Sequence, residues 1–471
     1  MRDSPLRQVV LLTLALGVVL RIIATGGDLW LDEIWSLNLA AALGSPLEVF
    51  RVRIDNNHIL NTLWLYLVGP EQAAWLYRLP SLAASILSLW LAVRIGRREG
   101  GGAGSLFVIF CALSAVLITI TTEARGYGVM VLGVLAVWEC VEARRAEGEL
   151  PHPLTLLLIV VGATLAHLSF LLFYLPLVGW QVLTAPRRIR LRAGMVHAPA
   201  VAALVILYAL YIRHLPPGSG PLAGYLDALL STLSVSAGGP ELPATGMAGV
   251  AALAAAVVFL VLILRGLVVL ARAGDRRWIL GLLVIFVVPG AMLLFLEPRV
   301  VVARYLLGAL IVALLVVAHA LAAMAAEGRV GRYIAGGIVF LFVAANLAHL
   351  VRLARYHRGE YRAALTFMTP GSTVQRVVVW GDHDFRNGTV LAYHARALGY
   401  RVEYLARSDR CSAEPNFFLV EEASREVPPA ALTIDECGGV REFLLVRSFP
   451  HALLSGTRWH VYRPHPSSSE E

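Results

Sequence analysis

Charge is what this sequence has least of. Only 15% of its 471 residues are Asp, Glu, Lys or Arg, and 58% are hydrophobic. Soluble globular chains carry about 25% charged residues, so that class is excluded. Lysine is missing altogether and all 40 basic side chains are arginine, an absence that carries no functional reading of its own. Four cysteines in the whole chain are too few for a disulfide-built scaffold, and such hydrophobicity excludes a disordered chain. What remains is a polytopic α-helical membrane protein.

The charge is also unevenly placed. Residues 1–352 hold 26 Arg against 18 Asp and Glu, whereas residues 353–471 hold 14 of each. The break at 353 divides a membrane body, 1–352, from a hydrophilic domain, 353–471, long enough to bury a core of its own. Arginine clustered in short loops between apolar runs orients helices, so nucleic acid is not an expected partner.

A helix needs roughly 20 apolar residues to cross the hydrocarbon layer. About eleven runs qualify: 8–25, 78–96, 104–121, 126–142, 154–167, 168–184, 195–213, 246–265, 278–296, 303–325 and 332–351. The first run has flanking arginines like a signal peptide, but no small-residue cleavage site and Arg21 inside it, so it reads as a retained span. With the N-terminus cytoplasmic, 17 arginines fall on the cytoplasmic side and seven on the other. The positive-inside rule selects that orientation, and an odd number of spans puts the C-terminal domain outside, beyond the inner (plasma) membrane.

Residues 26–77 form a large first extracytoplasmic loop whose segments 29–43 and 59–69 are too short to span and read as interfacial helices. In the C-terminal domain, Val377–Trp380, Thr389–Leu398 and Arg401–Leu405 give a strand–helix–strand rhythm, with further strands at Phe417–Val420, Phe443–Val446 and His460–Tyr462. It is a soluble α/β domain. Cys411 and Cys437 lie on the oxidising side, and sequence leaves open whether they pair.

Four polar clusters all fall on the outer side. Asp32-Glu33 sits between Trp and Leu, where partial desolvation favours a base; two acids at a helix start are the plainer alternative. Asp55-Asn56-Asn57-His58 precedes the second interfacial helix, as a capping run or as donors to a phosphate or sugar. Glu123-Ala124-Arg125-Gly126-Tyr127 closes a hairpin between spans, where a Glu–Arg pair either fixes the turn or offers a guanidinium fork to a phosphate. Glu297-Pro298-Arg299 and Arg304-Tyr305 open the tenth span, with an interior role and snorkelling both open for Arg304. Acids and arginines converging on one rim of a lipid–water boundary suit chemistry on a lipid with an anionic phosphate head. An Asp-Glu-His site for a divalent cation is left open, although no metal-ligand spacing is evident.

The order of these motifs carries a resemblance. Leu31-Asp32-Glu33-Ile34-Trp35-Ser36, a His before the next helix, Tyr77-Arg78-Leu79-Pro80, Glu123-Ala124-Arg125-Gly126-Tyr127 and Arg304-Tyr305-Leu306-Leu307 together resemble the GT-C glycosyltransferases that use polyprenyl-phosphate sugars. The likeness is to the protein O-mannosyltransferase and aminoarabinose-transferase superfamily and covers roughly residues 8–325. His58-Ile59-Leu60 stands where His-Pro-Pro is common, Thr122 where Gln is, and Gly308 where a proline is usual.

The resemblance implies membrane helices with the catalytic acid on the first outer loop, a soluble domain after the last span, and a lipid-linked sugar donor. On this reading transfer is inverting. Asp32 is the general base, with Glu33 orienting it or the acceptor, and Arg125, Arg304, Tyr127 and Tyr305 bind the donor phosphate. His58, Glu123, Arg78, His167 and Arg299 are secondary candidates. The acceptor is a lipid, glycan or protein hydroxyl. The rival reading is a multi-pass lipid or glycan transporter or flippase, which should show repeated halves and ionisable groups near mid-span.

Overall fold

The computed structural model describes residues 5–216, 224–242, 244, 246–292, 294, 303–369, 376–422, 428–452 and 454–465. Its first part is a helical bundle: α1 (Pro5–Ala24), α2 (Leu31–Ala41), α3 (Ile59–Val68), α4 (Ala74–Glu99), α5 (Gly101–Leu113), α6 (Ala115–Thr121), α7 (Tyr127–Ala146), α8 (Pro153–Ala166) and α9 (Leu171–Thr184). It continues through α10 (Arg190–Met195), α11 (Ala198–Leu210), α12 (Tyr225–Ser236), α13 (Gly246–Arg272), α14 (Arg277–Leu282), α15 (Val288–Ala291), α16 (Leu307–Ala326) and α17 (Arg329–Tyr356). Among the described residues each apolar run read from the sequence is largely helical, and the end of the run 278–296 lies outside them. By length and composition five helices among the described residues are able to cross a membrane, or up to seven if two bent pairs count as single spans. Most of the others are shorter, as where α8 stops at His167, whereas α7 is long enough but carries Glu139, Glu142, Arg144 and Arg145.

Two details depart from the sequence reading. The stretch 214–245, expected as loop, contains α12, whose apolar side packs on α13. The compositional break at 353 falls one turn before the end of α17.

The core follows from helix composition. α16 is apolar around its circumference except at His319, which meets Glu99, and is accordingly enclosed by α5, α7, α9, α13 and α17. α4 and α5 meet at glycine: a Cβ on Gly104 would lie 1.9 Å from the Gly96 carbonyl oxygen, so backbones touch there as small residues allow in a membrane bundle. The outward faces of α1, α13 and α17 are apolar too, with Leu12, Val250, Val261, Phe340 and Leu341 all at least half exposed.

One buried charge is built into this core. α5 and α6 break at Ser114 with a bend of 48°, which frees the carbonyls at the end of α5. Arg21 answers them: its guanidinium donates to the Cys111 and Ala112 carbonyls, each at 3.0 Å, to the Gly17 carbonyl and to Ser85 Oγ. A cation at a helix C-terminus also meets the dipole favourably. Across the break, Asn346 Oδ1 accepts the Ala115 N–H at 2.7 Å. The break is thus re-satisfied inside apolar surroundings.

The second part begins with α18 (Tyr361–Met368) and a six-stranded sheet with α19 (Asp384–Leu398). The strands are β1 (Val377–Gly381), β2 (Val402–Tyr404), β3 (Phe417–Glu422), β4 (Ala431–Glu436), β5 (Gly439–Phe449) and β6 (Arg458–Pro464), in the order β2-β1-β3-β6-β5-β4. β1 runs parallel to β2 and β3, and the remaining pairs are antiparallel. β4 was not legible in the sequence: it lies at the edge and is only half buried, so its apolar pattern is weak. Cys411 and Cys437 form a disulfide with Cα atoms 5.2 Å apart, tying the segment before β3 to the β4–β5 turn.

Replacing Arg21 with Leu strands carbonyls in an apolar interior at about 1–3 kcal/mol each. Arg21→Leu should therefore lower the thermal unfolding midpoint of detergent-solubilised protein by several degrees, with Arg21→Lys intermediate. Unchanged melting would show that the break is satisfied without the guanidinium.

Candidate active site

The site is assembled at the end of the bundle that carries the sheet domain. Its foundation is a buried ion pair. Glu33 Oε1 accepts from Arg78 Nε at 2.8 Å and from the Ala124 N–H at 2.7 Å, while Oε2 accepts from Arg78 Nη2 at 2.6 Å and from the Trp30 N–H at 3.3 Å. Arg78 spends its remaining donors on the carbonyls of Thr25, Gly26, Gly27 and Asp28. Burial pushes the Glu33 carboxyl up, but the Arg78 guanidinium and the Ala124 N–H more than offset it and hold Glu33 below the usual range. Both side chains are consumed, so they position the site and are not free to touch a substrate.

The pair fixes the first turn of α2 against the loop 122–126, whose backbone is pinned further. Asn61 donates to the Ala124 carbonyl and Ser81 to the Arg125 carbonyl, both at 2.7 Å. Gly126 is required by close approach: a Cβ there would lie 1.7 Å from the Ala166 carbonyl oxygen. Arg358, from the turn after α17, reaches the same region and donates to the carbonyls of Ala24 and Thr119, both at 2.7 Å, and to Thr122 Oγ1.

On this frame Asp32 meets two arginines. Its Oδ2 accepts from Arg125 Nη1 at 2.8 Å and from Arg304 Nη1 at 3.0 Å. Oδ1 has no hydrogen-bond partner among the described residues, and the side chain keeps 14% of its surface. Arg125 also donates to Asn56 Oδ1 at 2.7 Å, and the Asn56 amide in turn donates to the Asp32 carbonyl and to Ser36 Oγ.

Behind the arginines stand aromatic rings. The Arg125 guanidinium lies 5.0 Å from the Tyr127 ring and 6.0 Å from Trp30, and Arg304 lies 5.5 Å from Tyr305. His167 sits among them, 4.3 Å from Tyr127, 4.5 Å from His58 and 6.1 Å from Tyr305 by ring centroids. His58 Nδ1 lies 3.1 Å from the Gly126 N–H nitrogen and Nε2 lies 3.3 Å from Arg125 Nη2, so both ring nitrogens face donors and the neutral ring accepts from one of them. Burial, then the nearby His167 and the two arginines, keep His58 well below its ordinary value and hence neutral.

The arrangement holds more positive charge than its acids cancel. Two guanidiniums share one carboxylate oxygen. The nearest other acid, Glu123, has Oε2 3.9 Å from Arg125. Burial pushes its carboxyl up to about 7 against the pull of Arg125 and Arg358. Arg125 Nε, Arg304 Nε and the Tyr127 hydroxyl are buried without a hydrogen-bond partner among the described residues. Buried donors left over beside a charge excess are what an anion would complete.

A divalent cation does not fit this set. Asp32 faces guanidiniums, Glu33 is filled by Arg78, and no group of three His, Cys, Asp or Glu converges among the described residues.

The structure thus gathers Asp32, Arg125, Arg304, Tyr127, Tyr305, His58, His167 and Glu123. It sets Glu33 and Arg78 beneath them as a support. Arg299 lies outside the described residues. Sequence reading missed Asn56 as a link, although its cluster was visible, and missed Arg358, which nothing but its place after the last apolar run could mark. It also missed Glu421 on β3, whose carboxyl burial pushes up to about 7, with Asp382 and Asp32 adding to the rise and Arg386 and Thr457 opposing it. In Gly381-Asp382-His383-Asp384, Gly381 ends β1, Asp384 opens α19, and the two residues between form a short polar link. Asp382 accepts the Glu421 N–H and the Asn387 amide, and Asp384 accepts the Tyr404 hydroxyl and the Arg407 N–H.

No family model matches the chain, and no curated protein matches it.

Glu123 gives the site a pH dependence with a definite sign. Its folded-state value, about 7, exceeds the ordinary 4.5, so the folded chain holds the extra proton. Its contribution to stability falls as pH rises between those values. Ionisation above them cancels part of the arginine charge. Affinity for a lipid phosphodiester, whose own charge is constant there, should drop several-fold between about pH 6 and about pH 8. Glu123→Gln should flatten that profile at the tighter level. A profile unchanged by the substitution would assign the titration elsewhere.

Proposed function

We propose that the chain is an integral membrane glycosyltransferase of the GT-C kind, moving a sugar from a polyprenyl-phosphate donor to an acceptor hydroxyl with inversion. The observation that carries this reading is the shared Asp32 oxygen: one carboxylate whose other oxygen has no partner among the described residues, flanked by two guanidiniums in excess of the local negative charge. An acid to take a proton and a cationic pair to receive a phosphate, a few ångströms apart, are the two requirements of displacement at an anomeric carbon.

In the proposed step the acceptor oxygen attacks the anomeric carbon as its proton passes to Asp32 Oδ1. The bond from the anomeric carbon to the phosphate oxygen breaks, and its electron pair stays on the phosphate. Polyprenyl phosphate leaves with one more negative charge than it had in the diester. Arg125 and Arg304, already aimed by Asn56 and the tyrosine faces, meet that charge as it grows. A bound phosphate also competes with Asp32 for the guanidiniums, freeing the carboxylate to act as base. His58 and His167, neutral or ring-packed, shape the wall.

The topology belongs to the same proposal: about eleven crossings of the inner membrane, with the N-terminus cytoplasmic and the site outside. The Cys411–Cys437 disulfide supports an extracytoplasmic C-terminal domain independently of arginine counting. A lipid-linked donor follows from that placement, since nucleotide sugars are made on the other side.

Incubation with a panel of polyprenyl-phosphate sugars should release polyprenyl phosphate. Asp32→Asn should reduce that turnover by about 10²–10⁴-fold, the usual worth of a positioned base, while donor affinity stays equal or tightens because a competing anion is gone. Near-normal turnover in this variant would remove Asp32 from the role. Arg125→Ala should weaken donor binding while leaving the melting temperature within a few degrees; equal loss of donor binding and stability would point to a structural role instead.

A further inference from the structure

The sheet domain does not merely follow the bundle; it is docked on the helix that carries Asp32. α19 packs along α2. His394 Nε2 lies 2.9 Å from the Leu29 carbonyl, and Val390, Leu391 and Ala395 share a core with Leu29, Ile34 and Leu37. At the other end of this contact Phe385 meets Trp35, with ring centroids 5.4 Å apart and planes at 77°.

Trp35 stands one helical turn beyond Asp32, so its side chain rises about 5–6 Å along the same side of α2. An edge-to-face pair leaves ring faces free. Phe385 keeps 49% of its surface, and Trp35 is only partly buried. Around the rings the domain presents Asp382 and His383, both exposed, and Arg386, partly buried. Glu421 lies within electrostatic reach of both Arg386 and Asp32. A surface meant for lipid would be evenly apolar, and this one mixes open aromatic faces with both signs of charge.

We infer that Trp35 and Phe385 form the acceptor shelf, and that the acceptor is a saccharide whose ring lies on this pair while its hydroxyls meet Arg386 and Glu421. A pyranose shows a face of weakly positive C–H groups, which an electron-rich aromatic face attracts, and a rim of hydroxyls, which charged side chains bind. A peptide that binds by adding a strand needs a free sheet edge. The shelf is made from two helices, whereas the free sheet edges are β2 and β4. This inference rests on the glycosyltransferase reading and adds the acceptor class and the role of the second domain.

The test uses the full chain in lipid nanodiscs, with methyl pyranosides and their di- to tetrasaccharides as probes and a Ser/Thr-containing peptide beside them. Saturation-transfer NMR reads binding without requiring turnover. At least one saccharide series should take up saturation on its ring C–H protons. Phe385→Ala should weaken that binding about fivefold to tenfold, and Phe385→Tyr should restore it. Binding of a polyprenyl phosphodiester reports on the fold of each variant. Saccharide binding that is unchanged in Phe385→Ala, absent altogether, or replaced by peptide binding overturns the shelf. Donor turnover that persists in that event leaves the glycosyltransferase reading standing; saccharide binding without any donor turnover sinks that reading and keeps the shelf.

Discussion

The pair between Glu33 and Arg78 is the contact on which the rest of the site depends. Taking both charges out of water is expensive, and the interaction is favourable only because every lone pair and N–H finds a partner. Those partners come from separate segments: the loop 25–28, the first turn of α2 and the turn at Ala124. Removing either member would leave a buried charge uncompensated, at about 3–5 kcal/mol. The pair therefore ties the residues around Asp32 to one geometry, with its own donors and acceptors already filled.

Above that lock the logic reverses. Asp32, Arg125 and Arg304 are incompletely matched, with donors unfilled and one carboxylate oxygen open. Unfilled Nε donors also occur at Arg265, Arg352, Arg358, Arg410 and Arg458, so the two guanidiniums on one carboxylate oxygen are what set this place apart among the described residues. Adjacent residues thus differ: Glu33 is saturated, whereas Asp32 is shared between two guanidiniums.

The second domain is part of the same machine. Tyr361, Met368, Val379, Trp459 and Val461 share one apolar cluster with Leu29, Trp30, Ile34 and Leu65 of the first loop. Arg358 threads its guanidinium back to the segment just before the hairpin that carries Arg125. Gly456 admits this return, since a Cβ there would strike the Arg358 carbonyl at 1.5 Å. A boundary drawn from composition at residue 353 therefore marks a change of surroundings rather than a separable unit.

Much of this was legible along the chain. Apolar runs and the loops between them are local signals, so the helices of the bundle, the breaks near His167 and the β-loop-α-β start of the second domain could be read directly. Asp32, Arg125 and Arg304 stood out because ionised groups are costly beside hydrocarbon wherever they occur. What the chain alone could not decide was which of two neighbouring acids is saturated, since Arg78 lies 45 residues from Glu33. Nor could it reveal α12 or β4, whose order comes from packing against α13 and β5, or Arg358, whose partners are 236 and more residues away. Local periodicity follows from backbone geometry, but the pairing of distant charges is set only when the folded chain brings them out of water together.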